Sequence, residues 1–149
     1  MSLKEYKEKR KFKKTPEPKG KKEISKKNIY CIQKHSASHL HYDLRLEFNG
    51  VLKSWAIPKL PPKQKGLKRL AIETEDHPIE YAFFKGVIPE GNYGAGKVEI
   101  YDKGDFELIE KNKDTIVVKI NGNKLNGEYC LVKTNYGNKP EKSWLFFRR

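Results

Sequence analysis

The stretch YDLRLEFNGVLKSWAI, residues 42–57, predicts a β-hairpin. Apolar and polar residues alternate from Tyr42 to Phe48, which is typical of a strand with one buried face. The dipeptide Asn49-Gly50 between the two halves suits the positive backbone angles of a two-residue type I′ turn. The segments on either side of the turn, residues 42–48 and 51–57, are each long enough for a strand, and this is the clearest hairpin in the chain.

The rest of the chain beyond Ile29 repeats this pattern of short strands separated by turn residues. We expect further strands at residues 28–34, 70–73, 81–85, 97–101, 106–110, 116–120, 128–133 and 144–147, with turns at 121–123 and 135–138. No long segment has helical periodicity. We therefore predict a mainly all-β fold, a small closed or partly open β-barrel with short helical segments.

The 149 residues fit a single domain, which we divide into a basic N-terminal arm, residues 1–27, and a barrel core, residues 28–149. The net charge is +13, and the arm carries +8 of it. Such an arm on a basic body favours a polyanionic partner, most simply nucleic acid, although a lysine-rich surface also serves solubility alone. Lys4–Lys14 predicts a short helix, Thr15–Gly20 a turn, and the arm's composition indicates mobility.

Location and redox state follow from what the sequence lacks. It contains no apolar run long enough to span a membrane and no signal-peptide segment, so we expect a cytoplasmic protein. Cys31 and Cys130 lie far apart in strand-like segments, which favours two buried thiols over a disulfide or a zinc site.

Side-chain parity on the first hairpin strand collects the residues with chemical potential. His41, Asp43, Arg45 and Glu47 share one face, and the leucines and Phe48 share the other. His35, at the end of the preceding strand, can complete a set of three metal ligands that leaves coordination positions open. Arg45 is suited to hold a phosphate through two parallel hydrogen bonds. The alternative is an ordinary solvated strand face.

Two further clusters are weaker signals. His77 can contact a phosphate or act as a general acid and Tyr81 can donate a hydrogen bond, but Asp-His-Pro is also a plain turn and Tyr81 a plausible core residue. The glycine-rich segment Gly91–Gly96 lacks the lysine and the helix of a phosphate-binding loop, which favours a loop at the barrel rim. His39 is ambiguous, and an exposed position explains it equally well.

A series of motifs in this order resembles the 3′-phosphoesterase domain of bacterial DNA ligase D, over nearly the whole chain. The motifs are Gln33-Lys-His35, His41-Tyr-Asp43-x-Arg45, Ser54-Trp55-Ala-x-Pro58-Lys59, Lys68-Arg69, Glu75-Asp-His77-Pro-x-x-Tyr81 and Ile88-Pro-Glu-Gly-x-Tyr93-Gly-Ala-Gly96. The resemblance implies a small β-barrel with a crescent-shaped active-site groove. With no ligase or polymerase module attached, the chain is similar to a stand-alone form.

The resemblance also implies a chemistry. Members remove a 3′-terminal ribonucleoside and then the remaining 3′-phosphate, leaving a 3′-hydroxyl for DNA repair by non-homologous end joining. They use a divalent metal, typically manganese, although other divalent transition metals are possible. The substrates would be 3′ ends of DNA or of RNA–DNA primer–templates, with a separate DNA ligase and a primase or polymerase as partners, and the chain would be a monomer.

Site roles carry over by position under the same resemblance. His35, His41 and Asp43 correspond to the metal ligands; Arg45 and His77 contact phosphate, and Tyr81 lies beside them. Other positions support the site, namely Gln33, Lys59 and Arg69 in the core and Arg10 and Glu17 in an arm that folds back. Lys11 stands where an acidic residue is expected, and His39 where an arginine is expected. The rival hypothesis is a non-catalytic nucleic-acid-binding β-barrel with structural histidines.

Overall fold

The computed structural model describes residues 3–10, 16–17, 28–135 and 140–149. This part of the chain contains one short α-helix, nine strands and two short 3₁₀ helices. In chain order they are α1 (Lys4–Glu8), β1 (Ile29–Ser36), β2 (Leu40–Phe48), β3 (Val51–Ile57), β4 (Lys68–Pro78), a 3₁₀ helix (Ile79–Phe83), β5 (Gly86–Ile88), β6 (Gly96–Lys111), β7 (Thr115–Gly122), β8 (Asn126–Lys133), a second 3₁₀ helix (Pro140–Lys142) and β9 (Ser143–Arg148).

Eight of the strands close into an antiparallel barrel, which confirms the predicted fold class. The strands follow the order β1-β2-β3-β4-β9-β8-β7-β6, and β6 pairs back onto β1. Strand β5 pairs with the first residues of β6 as a short addition outside this ring. The predicted hairpin is β2–β3, and its two turn residues have the positive φ angles expected of a type I′ turn, 51° at Asn49 and 81° at Gly50.

Alternation along the strands gives the barrel an apolar interior and a polar outer site. Leu44 and Leu46 of β2 and Trp55 of β3 lie in the interior core, to which every strand of the ring contributes. Asp43 and Arg45 therefore point to the outside of the barrel, and yet both are buried. A second apolar cluster, with Tyr6 of α1 and Tyr81 of the 3₁₀ helix, covers this outer face.

Three expected elements are wrong in type or length. Residues 81–85 were predicted as a strand, but Ile79–Phe83 forms a 3₁₀ helix, because extended Pro78 ends β4 and the Phe84 amide then bonds to the Tyr81 carbonyl. β4 extends to Pro78, so His77 lies in a strand and not in a turn. The strands expected at 97–101 and 106–110 are one strand, since Gly104 permits close approach to the Asn121 carbonyl.

The structure leaves some sequence-based expectations open. Helix α1 ends at Glu8, before the expected limit at Lys14, and Lys11 lies outside the described residues, as do parts of the turns expected at 15–20 and 135–138. Among the described residues, no helix is long and apolar enough to cross a membrane.

Candidate metal centre and phosphate site

The pairing of β1 with β2 brings the candidate ligands together. In this antiparallel register His35 lies opposite His41, and Gln33 lies opposite Asp43. Directly opposite residues project to the same side of a sheet, here the outer side of the barrel. The two imidazole ring centroids are 4.8 Å apart. The register therefore places two histidines and one carboxylate at a single point.

Backbone carbonyls orient both imidazole rings. Nε2 of His35 donates to the Gly94 carbonyl oxygen at 2.7 Å, and Nδ1 of His41 donates to the His39 carbonyl oxygen at 3.1 Å. These bonds fix which nitrogen of each ring carries the proton. The remaining nitrogens, Nδ1 of His35 and Nε2 of His41, lie 3.6 and 3.3 Å from the same carboxylate oxygen of Asp43.

Two lone pairs and a carboxylate oxygen thus converge, an arrangement that is repulsive unless a proton or a cation lies between them. The three ligand atoms all lie within 4.8 Å of one another. Ligands about 2.0–2.2 Å from a metal ion are typically a little over 3 Å from one another, close to the two nitrogen–oxygen distances here. Metal-ligating histidines also commonly donate their other nitrogen to a carbonyl. The residues present fit a divalent metal ion.

The charges at this point respond to one another. Burial alone would raise the pKa of Asp43, but its polar contacts with the His35 and His41 rings and the charge of Arg45 outweigh burial and hold that pKa far below its usual range. The Asp43 carboxylate raises the pKa of His41 despite partial burial, because it would accept a hydrogen bond from a proton on Nε2. Asp43 is therefore a permanent anion at neutral pH, as a metal ligand must be.

Arg45 is held on three sides beside this trio. Its Nε donates to the Gln33 side-chain oxygen at 2.6 Å, one terminal nitrogen donates to Ser54 Oγ at 2.8 Å, and the other lies 3.6 Å from Asp43. The guanidinium also packs over the ring of Tyr81, 4.8 Å from its centroid. Such a cage fixes the plane of the guanidinium, which is what a two-point contact with phosphate requires.

His77 lies between two guanidiniums. Its Nδ1 is 2.9 Å from the Glu75 carbonyl oxygen and donates to it, which leaves Nε2 to accept from Arg10 at 3.3 Å. Burial lowers the pKa of His77 well below its usual value, and the charges of Arg45 and Arg10 lower it further. The ring is therefore neutral at pH 7 and protonated on Nδ1.

The N-terminal arm completes the site through Arg10. Its Nε donates to Glu17 at 2.9 Å, and a terminal nitrogen donates to Glu75 at 3.2 Å. Glu17 also accepts from the Tyr81 hydroxyl at 2.7 Å. The side chains of Arg10 and Glu17 are almost fully buried. Arg10 therefore ties the arm to β4 through Glu75. Glu17, which pairs with Arg10, ties the arm to the 3₁₀ helix through Tyr81.

These side chains line one cavity of about 200 Å³ on the outer face of the barrel. Eight residues proposed from the sequence lie around it: Arg10, Glu17, His35, His41, Asp43, Arg45, His77 and Tyr81. The cavity joins a potential metal site to a row of candidate phosphate-binding groups. Its volume suits a phosphate group with part of a sugar, not a whole oligonucleotide.

Comparison with known proteins agrees with this geometry. Residues 33–133 match the family described as the DNA Ligase D 3′-phosphoesterase domain. The chain belongs to this family. Similar proteins include two multifunctional non-homologous end joining proteins called LigD, from Pseudomonas aeruginosa (44 % identical over 96 % of this chain) and Mycolicibacterium smegmatis (43 % over 96 %). The LigD DNA repair protein of Mycobacterium tuberculosis is 45 % identical over 89 %. The chain spans 18–20 % of these relatives' length.

Not every residue proposed from the resemblance to this family reaches the cavity. Gln33 is fully buried behind Arg45, and its amide also donates to the carbonyls of Tyr81 and Phe84, so it positions Arg45. Lys59 and Arg69 are not among the residues that line the cavity. Arg69 instead donates to the Leu60 carbonyl at 2.8 Å and holds the segment after β3. The His39 side chain is exposed, and only its carbonyl serves the site.

Glu75 is the main cavity residue without a role in the sequence-based assignment. It is 7 % exposed and pairs with Arg10 and with Lys9. Burial raises the pKa of Glu75, but a backbone hydrogen bond and the charges of Arg10 and Lys9 outweigh burial and lower it. Its spacing of two from His77 on one strand was an available signal. The sequence gives no signal for the bulge in β4 opposite Leu52–Ser54. This bulge brings Thr74 to the cavity as well.

We predict that in the metal-free protein His77 stays neutral and Nδ1-protonated through the pH range in which an ordinary histidine takes up its proton. Two-dimensional NMR of the ring nitrogens measures the tautomer directly. An Arg10→Met variant should move the titration to higher pH, since one opposing charge is removed. A His77 ring that titrates near pH 6.5 in the parent would contradict the assignment.

The lowered pKa of His77 also determines how the free energy of unfolding depends on pH. Because the folded pKa lies below the unfolded value, the unfolded chain binds the proton first as pH falls. The contribution of His77 is present at neutral pH, and is lost progressively below about pH 6.5. Urea unfolding of the parent and of His77→Gln should show a weaker pH dependence in the variant over that range.

Proposed function

We propose that this chain is a metal-dependent phosphoesterase that heals 3′ ends of nucleic acids. It removes 3′-terminal ribonucleosides as a phosphodiesterase and 3′-phosphates as a phosphomonoesterase, and leaves a 3′-hydroxyl for DNA repair. The observation that carries the proposal is the convergence of two histidine lone pairs and the Asp43 carboxylate next to the caged guanidinium of Arg45. A module that only binds nucleic acid requires no such donor set.

Three residues hold the metal in this proposal: His35 through Nδ1, His41 through Nε2 and Asp43 through its carboxylate. Manganese is the proposed ion, with other divalent transition metals as alternatives. When bound, it supplies Lewis-acid polarisation of a phosphoryl oxygen and neutralises charge that develops there. The carbonyls of Gly94 and His39 keep the two rings in the ligating tautomer.

Arg45 and His77 act on the phosphate from the neighbouring side. Arg45 donates to phosphoryl oxygens without reorganising, because Gln33 and Ser54 already fix its plane. The neutral His77 has no proton on Nε2 to donate. A bound phosphate brings negative charge, which raises the pKa of the ring and offsets Arg45 and Arg10. His77 then takes up the proton that it donates to phosphate or to the leaving oxygen.

Substrate class follows from the charge of the chain and from its relatives. A net charge of +13 suits a nucleic-acid strand. The named relatives are end-joining proteins, which supports 3′ ends of DNA or of RNA–DNA primer–templates as substrates. A DNA ligase and a primase or polymerase would act on the healed end. We propose that the chain works as a monomer.

The direct experiment uses a labelled primer–template with one 3′-terminal ribonucleotide. The protein is incubated with chelator, and then with manganese added back. Metal-dependent loss of the ribonucleoside, followed by loss of the 3′-phosphate, supports the proposal. Tight binding without any product in manganese would favour a non-catalytic binding module. Manganese should also raise the melting temperature, as a ligand of the native state does.

We predict that His41→Ala and Asp43→Ala each abolish both activities and the manganese-dependent rise in melting temperature. Each variant removes one of the three converging ligand atoms. His39→Ala is the matched control, because the neighbouring histidine offers its carbonyl and not its exposed ring. Release of 3′-phosphate and circular dichroism test the variants. Near-normal turnover by either one would exclude that residue from the ligand set.

A lysine at position 45 should work poorly. Lysine keeps the charge but cannot donate to Gln33 and Ser54 and still present two parallel donors to phosphate. We expect Arg45→Lys to lower kcat by on the order of 100-fold, the usual cost of losing a transition-state donor. Steady-state kinetics on the 3′-phosphate substrate measure it. Activity within a few-fold of the parent would mean that charge alone matters there.

Glu17→Ala should lower kcat, and more for the 3′-phosphate than for the ribonucleotide step. Glu17 holds Arg10 and the Tyr81 hydroxyl, so its loss frees two groups at the cavity. Glu8→Ala is the control, since it makes the same charge change at an exposed position of the same arm. If the arm acted only as an electrostatic tether, the two variants would have equal effects, and these effects would be confined to KM.

A further inference from the structure

Tyr93 is an exposed aromatic residue at the mouth of the cavity. It lines the cavity, and 50 % of its surface is accessible to solvent. Tyr81, the other tyrosine that lines the cavity, is only 3 % exposed and donates its hydroxyl to Glu17. Tyr93 therefore presents an aromatic surface to whatever enters, next to the groups that would hold a phosphate.

The loop that carries Tyr93 is anchored on both sides. Gly91 and Gly94 have φ angles of +86° and +75°, which only glycine adopts readily, and the Gly94 carbonyl is the acceptor for His35. On the other side, Lys9 of the arm lies 4.9 Å from the ring centroid and Arg10 lies 5.4 Å from it. The ring is therefore held in place beside a proposed metal ligand.

We propose that Tyr93 is a stacking platform for the base of the 3′-terminal nucleotide. This proposal rests on the proposed function, because a phosphate held at the 3′ end brings the sugar and base of that nucleotide to the cavity mouth. Every base has a π-face, so an aromatic platform is independent of sequence. Lys9 and Arg10 lie over the Tyr93 ring and add positive charge beside it, which attracts the backbone of the strand.

A single exposed aromatic residue has no meaning by itself. Phe83 illustrates this, because it is 64 % exposed and does not line the cavity. What distinguishes Tyr93 is its position, with one neighbour in sequence bonded to His35 and a hydroxyl 3.5 Å from Lys9. The two aromatic residues are therefore a matched pair, one at the cavity and one away from it.

The test compares two oligonucleotides that end in a 3′-phosphate and differ only in their last nucleotide, which has a base or is abasic. Binding is measured by fluorescence anisotropy in chelator, so it is independent of turnover. Tyr93→Ala should raise the Kd of the oligonucleotide with the base by about tenfold and leave the abasic one unchanged. Tyr93→Phe keeps the ring and should bind both as the parent does.

Two further variants separate stacking from other roles. Phe83→Ala should leave both dissociation constants unchanged. Lys9→Met should weaken both oligonucleotides equally, because it removes a charge and not the platform. If Tyr93 served only to hold Lys9, then Tyr93→Ala would behave in the same way as Lys9→Met, and stacking would be excluded. No loss of binding in Tyr93→Ala would exclude it as well.

Adding manganese to the same samples separates this proposal from the function on which it rests. If Tyr93→Ala removes base-dependent binding but the parent shows no hydrolysis, the phosphoesterase proposal is overturned and the stacking proposal stands. The opposite result is also possible to distinguish. If the parent hydrolyses the substrate but Tyr93→Ala loses binding equally for both oligonucleotides, the phosphoesterase proposal stands and the stacking proposal is overturned.

Discussion

The antiparallel register of β1 against β2 is the constraint on which the site depends. It sets His35 opposite His41 and Gln33 opposite Asp43, so two ligands face each other and the support for Arg45 stands opposite the third. A slip of β2 by one residue would turn its His41, Asp43 and Arg45 side chains into the barrel. The interior core prevents the slip, because Leu44 and Leu46 on the same strand would then leave the core.

The charged groups outside the barrel form a series of ion pairs that extends from the metal ligands to the arm. Asp43 faces Arg45, which borders the neutral ring of His77, and Arg10 then stands between Glu17 and Glu75. Each charge in this series has a partner of opposite sign, which is the condition for tolerating charges away from water. The arrangement also keeps two guanidiniums close to each other without repelling the arm from the barrel.

The sequence was sufficient for the parts of the site that obey local rules. Parity placed His41, Asp43 and Arg45 on one face, and the turn dipeptide placed the hairpin. The sequence was insufficient where a contact depends on residues that are far apart along the chain. The bond between the Gly94 carbonyl and His35 joins residues that lie 59 positions apart, and the pairing of β6 with β1 brings them together. The burial of Tyr6 within a lysine-rich arm, and the bulge in β4, are tertiary effects that composition and periodicity do not encode.

All the described residues that line the cavity come from the arm, from β1 to β5, from the 3₁₀ helix before β5 and from the loops that follow β1 and β5. Strands β7, β8 and β9 complete the ring on its other side and contribute none. The exposed turn at 112–114, between β6 and β7, is therefore a suitable attachment point for a fluorophore or an immobilisation linker. A reporter placed there would leave the cavity open to a strand end, whereas one placed on Leu3–Arg10 would stand against it.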